Sequence, residues 1–225
     1  MRIAVISDIH SNLPALEAVK GHIEKSRAEM VICAGDVVGY GASPNECCRS
    51  VASLVTHMCL GNHDLAALRR EVSDMNPYAA RAALWTADVL DEPSRTYLTK
   101  MEESSRFVAG RLQVAVHHGS LRNVSEYLYA EDITEGLLTE SDAQALVFGH
   151  THVPYAIRYP EGMVINPGSV GQPRDGDPRA SLALLETSPL SCRTMRVEYD
   201  IDAAADAIRE AGLPEMLADR LYRGH

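Results

Sequence analysis

The sequence has no hydrophobic run of membrane-spanning length. Its start, MRIAVISDIH, reaches charged and metal-binding residue types before seven apolar residues have accumulated, so it does not read as a signal peptide. There is no C-x-x-C pair among the five cysteines (Cys33, Cys47, Cys48, Cys59, Cys192), which speaks against a thiolate zinc site. An odd set, with Cys33 and Cys59 inside apolar runs, reads instead as reduced core thiols in a cytoplasmic protein. A basic footprint is also missing. Lys and Arg number 21 against 31 Asp and Glu, a formal net charge of −10, so affinity for long nucleic acid is not expected. No repeat, low-complexity tract or long linker demands a boundary, and one domain over 1–225 is the default. The glycines Gly39, Gly41, Gly168 and Gly171 do not fit a P-loop and read as turn formers.

What is present is a 46% hydrophobic chain, long enough for one substantial core, whose first third alternates strand and helix patterns. Strands are expected over 3–6, 30–33 and 56–60, with helices over 13–25 and 44–54, which makes successive β-α-β units. Asn12 with Pro14, and Pro44, mark the two helix starts. Residues 65–101 are rich in Ala, Leu and charge, with a helical pattern over 78–90 and a break at Pro93; they read as a helical insertion, a lid or wall. Strands follow over 112–116 and 145–148, with a short helix between them over 132–138. Short strands over 155–159, 163–165, 182–185 and 193–199, separated by Gly- and Pro-rich turns, suggest a mostly antiparallel second sheet. Small helices over 201–211 and 214–221 close the chain.

The expected strands of the first sheet end in polar clusters: Ser7-Asp8-Ile9-His10, Gly35-Asp36, Gly61-Asn62-His63-Asp64, His117-His118-Gly119 and Gly149-His150-Thr151-His152. Carboxyl ends of strands in α/β sheets converge on one crevice, so clusters distant in sequence become neighbours. Alternate residues of an extended segment point the same way, so Asp8 with His10, and His150 with His152, offer two donors each. Imidazole and carboxylate donors without thiolate favour Mn, Fe, Zn, Ni or Co.

These five blocks, in this order, resemble the calcineurin-like metallophosphoesterase superfamily, whose pattern runs D-x-H, G-D, G-N-H-D or G-N-H-E, a later H, and G-H-x-H. The resemblance extends over about 2–176, and the phrasing of 35–44 and 166–179 is similar to small bacterial phosphodiesterase-like members. It implies an α/β fold, a four-layer α/β/β/α sandwich with two mixed β-sheets, the metals lying at one edge where the loops of the first sheet converge. It also implies two divalent metal ions. Asp8, His10 and His152 would bind one, Asn62, His118 and His150 the other, with Asp36 bridging. His118 is preferred to His117 because the ligand of the family pattern directly precedes Gly; His117 is then a core residue or supports a ligand. His63 would sit beside the substrate with Asn62 and protonate the leaving oxygen or stabilise the phosphoryl charge, while Asp64 holds the loop. Two cations about 3.5 to 4 Å apart would neutralise the phosphoryl oxygens and lower the pKa of a bridging water, so that hydroxide attacks near neutral pH.

One departure bears on the substrate. Phosphoprotein phosphatases of that superfamily continue G-D with x-x-D-R-G, whereas Gly39 and Tyr40 stand in the places of the Asp and Arg. A protein-phosphatase activity is thereby demoted. Phosphate recognition falls to Arg174, in the loop 171–177, with Arg122 as a second candidate. The segment Tyr127-Leu128-Tyr129 reads first as packed and second as a wall for a base or aryl group. The expected activity is hydrolysis of a small phosphodiester or phosphomonoester, nucleotide-like in size; a catalytically weak protein-binding scaffold of the same fold is the rival. Oligomeric state is left open by the sequence.

Overall fold

Strand β1 (Arg2–Ile6) sets the layering of the molecule. Its side chains alternate, Ala4 and Ile6 facing one way and Ile3 and Val5 the other, and both sets are fully buried. A strand buried on both faces must lie between layers. The computed structural model describes residues 1–225 and shows those layers as two five-stranded sheets face to face, with helices outside.

The first sheet has the order β10 (Leu190–Val197), β9 (Ala180–Thr187), β1, β2 (Met30–Cys33), β3 (His57–Met58). Strands β1, β2 and β3 pair in parallel, and β9 and β10 are added antiparallel. The second sheet has the order β4 (Ser104–Ala109), β5 (Leu112–His117), β6 (Ala145–Val147), β8 (Met163–Asn166), β7 (Tyr155–Arg158), parallel in the middle and antiparallel at both edges. Ile3, Val5, Ile32 and Leu185 meet Val114, Val116, Val147 and Ile165 between the sheets. Each fully buried aliphatic side chain of this kind contributes about 1.5–3 kcal/mol.

Outside the first sheet lie α1 (Leu13–Ser26), α2 (Pro44–Leu54), α3 (Asn62–Arg69) and α5 (Glu92–Thr99), which bury Leu16, Val19, Val51, Leu65 and Leu98 against Ala4, Ile6 and Leu182. Outside the second sheet, α6 (Gly136–Ser141) supplies Leu138 to a cluster with Leu146, Phe148 and Val164. The remaining helices, α4 (Pro77–Val89), α7 (Ile201–Glu210) and α8 (Glu215–Asp219), pack on one another and on Tyr40 through Ala79, Ala82, Ala205, Ile208 and Leu217. No helix is long and apolar enough to cross a membrane.

The α/β class and the two mixed sheets agree with expectation, but the partition of strands does not. The strands of the last third do not make a sheet of their own: β9 and β10 extend the first sheet, and β7 and β8 join β5 and β6 in the second. Pairing across such sequence separations has no signature in the local pattern. Strand β4 is not anticipated, because its sequence, SSRFVA, is polar in its first half and its side chains are mostly half-buried. The short helix expected over 132–138 lies later, at Gly136–Ser141, after a single 3-10 turn at Ala130–Asp132. Pro93 begins α5 instead of merely ending α4; Asp91 caps the new helix by accepting from the Ser94 N–H at 2.9 Å.

Candidate metal centre

The carboxyl ends of β1, β2, β5 and β6, together with the start of α3, meet at one end of the sandwich. Because β5 and β6 belong to the second sheet, the site lies between the two sheets and is not built from the loops of the first alone. The first two loops are stitched together by the backbone: the N–H groups of Asp8 and His10 donate to the carbonyls of Gly35 and Asp36, each at 3.0 Å.

The donors do not lie on extended backbone, as simple alternation would have it. Asp8 (φ 54°), His10 (φ 50°), Asp36 (φ 52°), His150 (φ 63°) and His152 (φ 60°) are all left-handed. A non-glycine residue there costs of order 1–2 kcal/mol, and such strain gathers where the surrounding structure holds a functional geometry. The strained turns make successive side chains converge.

Three overlapping groups of donors result, two of them made of the expected ligands and the third of His10, Asp36 and His63. Asp8, His10 and His152 form one of the first two, Asp36, His118 and His150 the other, and in each the donor atoms lie within 4.8 Å of one another. The Asn62 side-chain oxygen lies 3.1 Å from His118 Nε2 and so extends the second. Asp36 stands between the sets: its Oδ2 is 3.2 Å from His118 Nε2 and 3.6 Å from His10 Nε2. Its Oδ1 accepts the His63 N–H at 2.8 Å. Gly61 is required beside it, since a Cβ there would sit 2.6 Å from the carboxyl carbon of Asp36.

Ring hydrogen bonds divide the histidines by task. His10, His118 and His152 donate Nδ1–H to the carbonyls of Val38 (3.2 Å), Ala34 (2.7 Å) and Gln172 (2.5 Å). Their Nε2 atoms therefore face inward as the donors of two clusters. His150 is reversed, donating Nε2–H to the Ser125 carbonyl at 3.0 Å and turning Nδ1 to the site. A histidine fixed through one nitrogen and open at the other is oriented for a metal. Asp8 Oδ1 is buried without a hydrogen-bond partner, and the His10 and His152 Nε2 atoms face each other at 3.1 Å. Ring nitrogens and buried carboxylates converging this closely fit cations, with a proton on His118 Nε2 facing Asp36 at 3.2 Å as the alternative partner.

His63 differs. It occupies the first turn of α3 and its Nδ1 is buried with no partner. Gly39 supplies no carboxylate, and its φ of 101° brings the backbone so close that a Cβ would lie 2.5 Å from His63 Nδ1. Burial, aided by the charge of Arg174 and opposed by Asp36, pushes the His63 pKa down to about 4. Asp64 accepts from the N–H groups of Val38 and Gly61, each at 3.0 Å, and so joins the second and third loops. Burial would also lower His118, but Asp36 and Asp8 overcome it and raise it to about 9. Asp36 itself is held below the carboxylate range, burial being outweighed by His118 and His63.

The cleft above the clusters has a volume of about 300 Å³ and is bordered by His63, Arg174, Tyr40, Tyr127 and the segment from Glu71 to Asn76. Arg174 donates to the Tyr40 hydroxyl and to Gln172 Oε1, both at 3.2 Å. Arg122 is not there: it is exposed and paired with Glu140 at 2.9 Å. His117 faces away from the clusters toward Phe148, with ring centroids 6.3 Å apart, and is buried with Nε2 unpartnered. The role of Tyr40 was missed from sequence. Its ring packs on His10 and His63 at 4.6 and 4.3 Å, and the only signal was its place four residues after Asp36. The carbonyls that orient the histidines carry no sequence signal at all.

Residues 1–189 match the family model described as the calcineurin-like phosphoesterase superfamily domain. The uncharacterized protein MJ0912 of Methanocaldococcus jannaschii is 38% identical over 245 aligned positions, covering 99% of this chain and 98% of that protein. Phosphodiesterase YfcE of Escherichia coli K12 is 31% identical over 198 positions, covering 85% and 90%. The crystal structure of a metallophosphoesterase from Sphaerobacter thermophilus superposes with a TM-score of 0.86 at 38% identity, covering 100% of this chain and 99% of that one.

Proposed function

The chain belongs to the calcineurin-like phosphoesterase superfamily and is a metal-dependent phosphoric ester hydrolase, and from that premise we propose that it cleaves small phosphodiesters or phosphomonoesters with two divalent ions. The observation that carries this reading is the ring geometry of the four histidines, each tied to a backbone carbonyl through one nitrogen and open at the other toward Asp8 or Asp36. Asp8, His10 and His152 would hold one ion and Asn62, His118 and His150 the other, with Asp36 shared. Manganese, iron, zinc, nickel and cobalt all suit this donor set. Bound there, the ions would supply positive charge to the phosphoryl group and an activated water.

The protein's own residues do the rest. Arg174, on the lining of the cleft, would neutralise a phosphoryl oxygen, which supports the reading. His63, neutral near pH 7 because of its burial, serves as a hydrogen-bond donor to the leaving or phosphoryl oxygen. Asn62 ligates through a neutral amide oxygen and so leaves the site less anionic than a carboxylate would. A cleft of about 300 Å³ accommodates a molecule of mononucleotide size and not a folded protein segment, which also argues against a phosphoprotein substrate. Five free thiols, four of them buried, accord with a reducing cytoplasmic location.

The test is hydrolysis of bis-p-nitrophenyl phosphate and p-nitrophenyl phosphate by metal-stripped protein resupplied with each ion in turn. Turnover that requires metal, and is lost in His63→Ala and Asp36→Asn, is expected; no turnover with any ion would return the chain to the scaffold class. The diester-to-monoester ratio assigns the substrate type.

A further inference from the structure

One wall of the cleft carries Tyr127, whose hydroxyl neighbours Arg174 and whose ring face has no part in holding a phosphoryl group. Tyr127 borders the cleft, 48% exposed as a residue, and its ring centroid lies 4.1 Å from that of His150. Tyr129, 39% exposed, runs parallel to it within 9° at 6.1 Å. The segment is expected to be packed; instead Tyr127 lies on the lining of the cleft and Tyr129 beside it, both partly exposed.

Their exposure does not come from a loose loop. The backbone on either side is pinned: His150 donates to the Ser125 carbonyl at 3.0 Å, Tyr155 donates its hydroxyl to the Leu128 carbonyl at 3.1 Å, and the Tyr129 N–H donates to Asp132 Oδ2 at 2.9 Å. Two large rings are thus held toward water at the cost of the burial that normally makes an aromatic side chain stabilising. Pre-ordered, exposed aromatic faces are what stacking on a planar ligand requires.

We infer that Tyr127, extended outward by Tyr129, is a platform for a planar ring in the substrate, and that the substrate class is a phosphoester with a nucleobase or aryl arm joined through a linker as short as one sugar. This rests on the phosphoesterase reading and deepens it. His150 connects the two halves of the binding event, with one ring nitrogen in the donor cluster and its ring face against Tyr127. The lining also contains Glu71 and Asp74, which suit sugar hydroxyls or base amino groups, and Arg69, whose charge is shared with Glu103.

The experiment compares two esters with the same leaving group, thymidine 5′-(p-nitrophenyl phosphate) and methyl p-nitrophenyl phosphate. Tyr127→Ala should raise KM for the thymidine ester about tenfold more than for the methyl ester, whereas Tyr127→Phe, which keeps the ring and loses only the hydroxyl beside Arg174, should keep the wild-type ratio between the two esters. Equal losses on both esters would make Tyr127 a prop for His150 and overturn the inference, as would no effect on either. A second readout is independent of turnover. In metal-loaded His63→Ala protein, calorimetry should show adenosine monophosphate binding about tenfold more tightly than ribose 5-phosphate, a preference abolished by adding Tyr127→Ala. If wild type cleaves neither ester the phosphodiesterase reading falls and hydrolysis is sought on p-nitrophenyl phosphate, while the calorimetry still decides the platform: equal binding of the two ligands refutes it.

Discussion

Replacing Gly39 with alanine should damage catalysis far more than folding. A Cβ at this position would lie 2.5 Å from His63 Nδ1 and 3.0 Å from His63 Cβ. Since unbonded carbon and nitrogen settle at about 3.5 Å, the imidazole must retreat by about 1 Å. A misplacement of that size costs about 10²-fold in rate, or about 2.7 kcal/mol of transition-state stabilisation. The backbone adds its own penalty, because φ at this position is 101°. Strain of about 1–3 kcal/mol lowers Tm by about 2–12 °C in a chain of this length, leaving a folded protein to assay. The substituted methyl does not approach the donor clusters in the way it approaches His63, so metal content should be unchanged. The assay is kcat/KM on bis-p-nitrophenyl phosphate beside metal stoichiometry and thermal melting, with His63→Ala and the double variant included. If Gly39 acts by seating His63, the double variant is no worse than His63→Ala alone. Activity within about threefold of wild type in folded, metal-loaded Gly39→Ala protein would refute the reasoning.

Two further outcomes follow from the charges of the site. In metal-free protein His118 titrates near about 9, so at pH 7 it is protonated and must lose that proton before it can ligate. Apparent metal affinity should therefore rise by about tenfold per pH unit toward pH 9 and then level, with proton release visible as buffer-dependent heats in calorimetry; an affinity independent of pH between 6.5 and 8.5 would contradict it. Arg174→Ala should lower kcat/KM about 10- to 100-fold without loss of metal, the range of a charge-assisted hydrogen bond, and Arg174→Lys should recover little, because a point charge does not replace the fork that also holds Tyr40 and Gln172. Loss of metal in Arg174→Ala, or full rescue by lysine, would remove Arg174 from substrate binding.

The sequence by itself determined the class of the molecule and the identity of the atoms offered at its centre. Continuous apolar runs in 3–6 and 30–33, helices that begin just after Asn12 and at Pro44, and Asp, His and Asn donors after successive strands are all local features, readable because each is set by neighbours a few residues away. The tertiary structure alone decided the rest. It assigned β9 and β10 to the first sheet and β7 and β8 to the second, since strand pairing between distant segments is chosen by which faces can be buried together. It turned His118 inward and His117 toward Phe148, a choice that alternation permits in either sense. It supplied the carbonyls of Ala34, Val38, Ser125 and Gln172, which fix the open nitrogen of each histidine although every residue offers an identical carbonyl. It also left Tyr127 and Tyr129 partly exposed. An aromatic segment reads the same in sequence whether packed or displayed, and only the presence or absence of a facing layer separates the two.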